Sequence, residues 1–389
     1  MKECERSIQP CAAAINDGWM WVFDYNINAL FRMELLSKKI EYVLSVQGEY
    51  AYQRALFTDI LFYRRKMFLV ANSAKENVLV DLDTMSQRKV HCNRQDKSTK
   101  TATPIQCGSQ VYMFPKYLGD NIEIWDFEDE IVHEIKIDYS KVERYIELRE
   151  LMWFGGVKAE DGFWLACGHS NKLVHIDKGG RLDICALATA DKGFCTISIK
   201  GHILYLLPGE GSELVQYDIR NNKSKVLFDT ADIFPNKYTF SYLRAIVIED
   251  TVILIPGAEK QIVLINLASE EKRKWFVEER FCAYAQWKNK LFLFPELGEE
   301  WKIINLETQG MDSYRCNFPS ICEGVPFYQY WMDDVCRLAG TKPDYSELIC
   351  DVEQFLSDKH MNPAVTRSKT DHVMNGQIIW ESLSSNSIK

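Results

Sequence analysis

Four arginines stand just ahead of β-prone runs: Arg54 in YQRALF, Arg149 in ELREL, Arg244 in YLRAIV and Arg280 in EERFCA. Aromatic residues lie beside them, namely Tyr50, Tyr52, Trp153, Tyr242, Phe281 and Tyr284. Guanidinium groups converging on one place bind carboxylate or phosphate through paired hydrogen bonds. Flanking rings supply stacking and an apolar floor. The chemistry on offer is an anion site, with Tyr52, Arg54, Arg149, Trp153, Tyr242, Arg244, Arg280 and Tyr284 as candidate ligand-binding residues. Its occupant would be a small anionic ligand or an acidic peptide. The plainer alternative makes these arginines unrelated surface or salt-bridge residues.

Other chemistries find less support. The seven histidines form no compact constellation in sequence. Gly209-x-Gly211 sits between two β-prone runs rather than ahead of a helix, so it is no phosphate loop. No Gly-x-Ser-x-Gly elbow occurs. A Ser-His-Asp triad need not be local in sequence, but nothing nominates one. Glu128, Asp129 and Glu130 read as a solvated acidic turn. Twelve cysteines include no Cys-x-x-Cys pair, and Cys316 and Cys322 have no histidine pair nearby, so a zinc site lacks its four convergent ligands. No metal and no cofactor are expected.

Composition sets the outer limits. The chain has 389 residues, 47% hydrophobic, 12% aromatic and 26% charged, enough to bury a large core. A net charge of -9 argues against broad nucleic-acid binding, which needs a basic surface. No window approaches 18 uninterrupted apolar residues, so no membrane span is expected. The N-terminal run, broken by Glu3 and Glu5, does not read as a signal peptide. With thiols used as small apolar residues, these features predict a cytoplasmic protein.

Those residues must be held by something, and the sequence shows what. LYLLPGEGSELVQYDI (204–219) returns as VILIPGAEKQIVLINL (252–267) and LFLFPELGEEWKIINL (291–306). Ten residues separate Pro208 from Asp218, Pro256 from Asn266 and Pro295 from Asn305. The same interval links Asp24 to Glu34, Ala71 to Asp81 and Cys167 to Asp177, and Pro115 to Asp126 is one longer. The seven markers lie about 45 residues apart, the period of four-stranded propeller blades. Proline has no N–H for a ladder, so it belongs where the second strand of each unit leaves its sheet. The Asp or Asn ends the third strand, where its side chain can bond the backbone of a tight turn. Turns such as Asp17-Gly18, Gly108-Ser109, Lys200-Gly201 and Lys288-Asn289 precede each second strand. On this frame His169 falls on a loop, His175 on a third strand and His202 at the start of a second.

The chain thus resembles the β-propeller superfamily over about residues 11–317. It lacks the paired glycines and downstream Trp of kelch repeats, and the Gly-His and Trp-Asp pairs of WD40 repeats. The resemblance implies architecture alone, since that scaffold hosts unrelated functions. We expect an all-β, seven-bladed propeller of four-stranded antiparallel blades in residues 1–317. Residues 318–389 would form a cap. There Phe327, Trp331, Val335 and Leu338, then Tyr345, Leu348, Val352 and Phe355, recur at helical spacing, predicting an amphipathic helix pair. The run QIIWESL (377–383) would return as a strand that helps close the ring. Insertions at 91–102, 138–150 and 229–242 lengthen links between blades, on the face that repeat proteins commonly use for binding.

First strands of propeller blades line a central channel. The four arginines precede their markers by 12 to 18 residues, which places them near the channel mouth without requiring a common direction. The favoured function is a non-enzymatic scaffold that binds a protein, peptide or small anion there. The alternative is a lyase, epimerase or hydrolase acting on an anionic sugar or peptide at the same mouth, with a His, Tyr or Glu as base. A structural subunit held by its tail helices is the third reading.

Overall fold

The computed structural model describes residues 7–25, 28–49, 55–92, 101–115, 121–139, 153–189, 193–208, 213–229, 242–256, 260–269, 271–296 and 298–316. The expected tail helices, the returning strand at 377–383 and most of the three inter-blade insertions lie outside these residues.

Twenty-eight strands, β1 to β28 in chain order, form seven sheets of four consecutive strands each. The first strands are β1 (Pro10–Asn16), β5 (Phe57–Tyr63), β9 (Thr101–Cys107), β13 (Trp153–Lys158), β17 (Phe194–Lys200), β21 (Tyr242–Ile248) and β25 (Phe281–Trp287). The second strands are β2 (Trp19–Asp24), β6 (Lys66–Ala71), β10 (Gln110–Pro115), β14 (Gly162–Cys167), β18 (Ile203–Pro208), β22 (Thr251–Pro256) and β26 (Lys290–Pro295). Each ends on its marker residue. The third strands are β3 (Leu30–Glu34), β7 (Asn77–Asp81), β11 (Ile122–Asp126), β15 (Lys172–Asp177), β19 (Glu213–Asp218), β23 (Gln261–Asn266) and β27 (Glu300–Asn305). The fourth, outermost strands are β4 (Ile40–Leu44), β8 (Gln87–Val90), β12 (Ile131–Ile135), β16 (Leu182–Ala186), β20 (Lys223–Asp229), β24 (Lys272–Phe276) and β28 (Gly310–Arg315).

The reversal chemistry matches the expectation. Asp17 and Gly18 both take positive φ, 49° and 78°, the left-handed pair a two-residue hairpin needs. Beyond the third strands, the Asp81 carboxylate accepts from the Asp83 and Thr84 amides. Asp218 accepts from Arg220 and Asn221, and Asn266 from Ala268 and Ser269. Asn305 accepts from Glu307 and Thr308. His202 lies in the turn before β18 rather than on the strand, one residue from its expected place.

Burial explains the ring. Second strands are buried along almost their whole length; Gly162–Cys167 and Lys290–Pro295 are typical. A strand buried on both faces must be covered from both sides, so each sheet needs two neighbours. Seven apolar clusters supply this, one between each pair of adjacent sheets. Phe23 meets Phe57 at 4.7 Å, Phe68 stacks on Trp125 at 5.4 Å, and Phe114 meets Phe163 at 5.0 Å. Each such side chain contributes about 1.5–3 kcal/mol on full burial.

The seventh cluster joins the last sheet to the first, and residues 7–9 seal that seam. The Ile8 amide donates to the Cys316 carbonyl at 2.7 Å, and the Trp301 indole N–H donates to the Ile8 carbonyl at 3.1 Å. The Gln9 amide donates to the Asp24 carboxylate at 2.8 Å.

Candidate functional site

The first strands surround the central axis, and each has only one ladder partner, its own second strand. They pack side by side in two arcs, β25–β1–β5 and β9–β13–β17–β21. Several of these strands carry small residues at mid-strand: AAA at 12–14, GG at 155–156, and single alanines at 245, 283 and 285. Gly155 shows why: a Cβ there would stand 2.9 Å from the Thr196 Cα of the next strand.

A β-bulge recurs at the second residue of every first strand. The ladder passes over Cys11, Thr58, Ala102, Phe154, Cys195, Leu243 and Cys282. A bulge bends the strand and re-aims the side chains that follow it. The register then sorts the channel into tiers. Ala12, Asp59, Thr103, Gly155, Thr196, Arg244 and Ala283 share the first tier beyond the bulge. Ala13, Ile60, Pro104, Gly156, Ile197, Ala245 and Tyr284 share the next.

Two adjoining cavities occupy the channel. One, of about 360 Å³, is walled by Asp59, Pro104, Gly155–Val157, Thr196–Ile199, Ala245–Val247 and Tyr284. The other, of about 220 Å³, is walled by Ala13–Ile15, Thr58, Asp59 and Cys282–Gln286. Asp59 and Tyr284 belong to both.

Cysteines at the bulge do not add a nucleophile. The Cys282 thiol donates to the Pro10 carbonyl at 2.9 Å, and the Cys11 thiol to the Phe23 carbonyl at 3.4 Å. Burial, aided by the nearby Asp24 charge, pushes the Cys11 thiol up to about 12. Burial likewise raises Cys282 well above the ordinary thiol value, with the Cys11 and Glu296 charges adding to it. The reactive species is the thiolate, so neither group is poised to attack.

The sequence candidates divide as follows. Tyr284 is half-buried in the channel wall. Arg280 is exposed immediately before β25, its carbonyl accepting from the Glu296 amide at 2.7 Å. Trp153, Tyr242 and Arg244 lie on β13 and β21 opposite Cys167, Pro256 and Ile255, while their side chains lie outside the described residues. Tyr52, Arg54 and Arg149 lie outside them altogether. Sequence reasoning missed Asp59, Thr196 and Ser198. Each is a polar residue within an otherwise largely apolar first strand, FTDILFY for Asp59 and FCTISIK for Thr196 and Ser198.

None of the described histidines lines either cavity. His175 Nε2 lies 3.4 Å from the Asp161 carboxylate, and its ring 4.5 Å from that of Trp164. His202 lies 3.9 Å from Asp218. Among the described residues, no three His, Cys, Asp or Glu side chains converge as a metal site. Among the same residues, no helix is long and apolar enough to cross a membrane.

No protein-family model and no curated protein matches this chain. Solved structures do. A streptogramin B lyase structure is similar with a TM-score of 0.58 at 12% identity, over 75% of this chain and 92% of that one. Sqt1 of Saccharomyces cerevisiae is similar with a TM-score of 0.56 at 10% identity, over 82% and 88%. The fold is a seven-bladed β-propeller. A third propeller, YCF48 bound to D1 peptide, is similar with a TM-score of 0.54 at 10% identity, over 81% and 94%. Identities this low carry the fold and nothing further.

Proposed function

We propose that this propeller is a binding scaffold that takes a protein or peptide partner at the channel mouth where its first strands begin. The observation that carries the reading is the composition of the channel wall. Its described side chains are small and branched apolar residues, the hydroxyls of Thr58, Thr196 and Ser198, the Cys282 thiol, the Gln286 amide, one carboxylate at Asp59 and one phenol at Tyr284, without a histidine. Such a wall offers shape and hydrogen bonds rather than an evident acid–base pair. The structure of YCF48 bound to D1 peptide is consistent with a propeller of this form taking a peptide.

In this proposal Arg280 and Tyr284 act with Arg54, Arg149, Arg244, Tyr52, Trp153 and Tyr242, and carboxylates of the partner meet the guanidinium groups. Arg244 holds the same register position as Asp59 and Thr196, both of which wall the cavity. A cytoplasmic setting belongs to the same proposal.

A random dodecapeptide library, selected on the full-length protein, tests it. Binding of at least one class of the selected peptides is expected to fall about tenfold or more in the Arg244→Ala/Arg280→Ala protein at an unchanged melting temperature. Peptides that all bind the substituted protein as tightly as the parent would overturn the reading.

A further inference from the structure

On the face opposite the channel mouth, the seam between the last blade and the first opens into a groove of about 370 Å³. Its apolar wall comes from both blades: Met33 and Leu35 from the first, Trp287, Phe292 and Tyr314 from the last. The same side chains belong to the seam's apolar cluster, so the groove is the exposed end of a packed core. Leu36, in the turn that carries Leu35, is 82% exposed.

The rim is cationic. Lys38 Nζ lies 4.7 Å from the centre of the Tyr314 ring, and Lys288 Nζ lies 4.8 Å from that of Trp287. Lys290 lines the groove beside them. Lys38 is set by its turn: it has a φ of 59°, and its amide donates to the Glu34 carbonyl at 2.8 Å. The Glu34 carboxylate in that turn accepts from the Ser37 hydroxyl. Among the described residues, none of the three lysines is in an ion pair. One carboxylate, Asp312, lines the same groove, so cations outnumber it in a chain of net charge -9.

An aromatic-walled groove favours a large apolar anchor, which concentrates binding energy in a desolvated pocket. Ammonium groups at its rim favour carboxylates and disfavour basic partners. We propose that this seam groove docks a peptide segment of a partner protein, an aromatic or aliphatic anchor flanked by Asp or Glu. The proposal is separate from the channel-mouth reading, because the two surfaces lie on opposite faces and use different cations.

The same dodecapeptide selection separates them. One class of selected peptides is expected to carry an apolar anchor with acidic flanks. That class loses binding about tenfold or more in Lys38→Glu/Lys290→Glu protein, keeps it in Lys38→Arg/Lys290→Arg protein, and is unaffected by Arg244→Ala/Arg280→Ala. Its affinity falls as salt rises. Should charge reversal prevent folding, Lys38→Gln/Lys290→Gln supplies the same comparison. Peptides sensitive only to the arginine substitutions would leave the channel reading standing and overturn this one. So would Lys38 and Lys290 being protected from amine acetylation in the protein alone, which would show the groove already covered by the chain itself.

Discussion

Gly155 and Thr196 are packed so closely that no side chain fits between them: a Cβ on the glycine would lie 2.9 Å from the threonine Cα and 3.1 Å from the Ile197 amide nitrogen. The obstacle is backbone, which cannot rotate aside. Gly155→Ala is therefore expected to push β13 and β17 apart and destabilise the fold by about 1–3 kcal/mol. Chemical denaturation of the two proteins checks this, and an unchanged midpoint would show that the strands are not held at this spacing.

The ring closes through Ile8, which is 1% exposed, and through Trp301, which is fully buried. Ile8→Ala removes buried methyl groups from the seam and is expected to cost about 2–5 kcal/mol. Because the damage is local, hydrogen exchange should rise first in β1–β4 and β25–β28 and last in β13–β20. Uniform loss of protection would contradict a seam sealed by these residues.

The turns after the third strands couple stability to acid. Backbone amides, led by that of Thr84, hold the Asp81 carboxyl below its usual range, and the Glu128 amide does the same for Asp126. Hydrogen bonds from Asn221 and the Arg220 amide outweigh desolvation to lower Asp218. Each folded value lies below the unfolded one. The unfolded chain thus binds more protons in that interval, and the stabilisation, complete above the ordinary carboxylate range, is lost as pH falls through the depressed value. Asp81→Asn should flatten the acid limb of the stability curve while keeping the turn, since Asn266 and Asn305 make the same turn uncharged. Asn266→Ala should cost about 1 kcal/mol at every pH. Melting temperatures from pH 3 to pH 7 distinguish the two behaviours.

Buried thiols should be inert. With Cys11 pushed up to about 12, its thiolate at pH 8 is roughly three orders of magnitude scarcer than that of an ordinary cysteine. Cys316, raised by burial and by the Asp24 charge, should behave alike. Mass spectrometry after iodoacetamide treatment is expected to find both unmodified in native protein and modified in urea. Labelling of native Cys11 at the rate of a free thiol would refute the burial.

Much of this architecture was legible beforehand because chain reversal is local chemistry. Pro208, Pro256 and Pro295 end their strands for want of an N–H. Asp218 and Asn305 end theirs by bonding amides two and three residues on. Asp17-Gly18 turns because its backbone can take positive φ. None of these effects depends on a distant partner, so the blade count and strand ends could be read from the residues themselves.

The site was less legible, because a bulge displaces the register. Tyr284 stands four residues from Arg280 in the sequence, whereas no arginine of the recurring set comes as near to Asp59. One residue passed over at Thr58 decides which tier Asp59 occupies. The linear sequence, then, determined how often the chain turns and where, since those choices belong to a few adjacent residues. Only the tertiary structure decided that Ile8 meets Cys316, that Gly155 approaches Thr196, and that Lys38 and Trp287 border one groove. Those meetings join residues from separate blades, and only closure about a common axis brings them together.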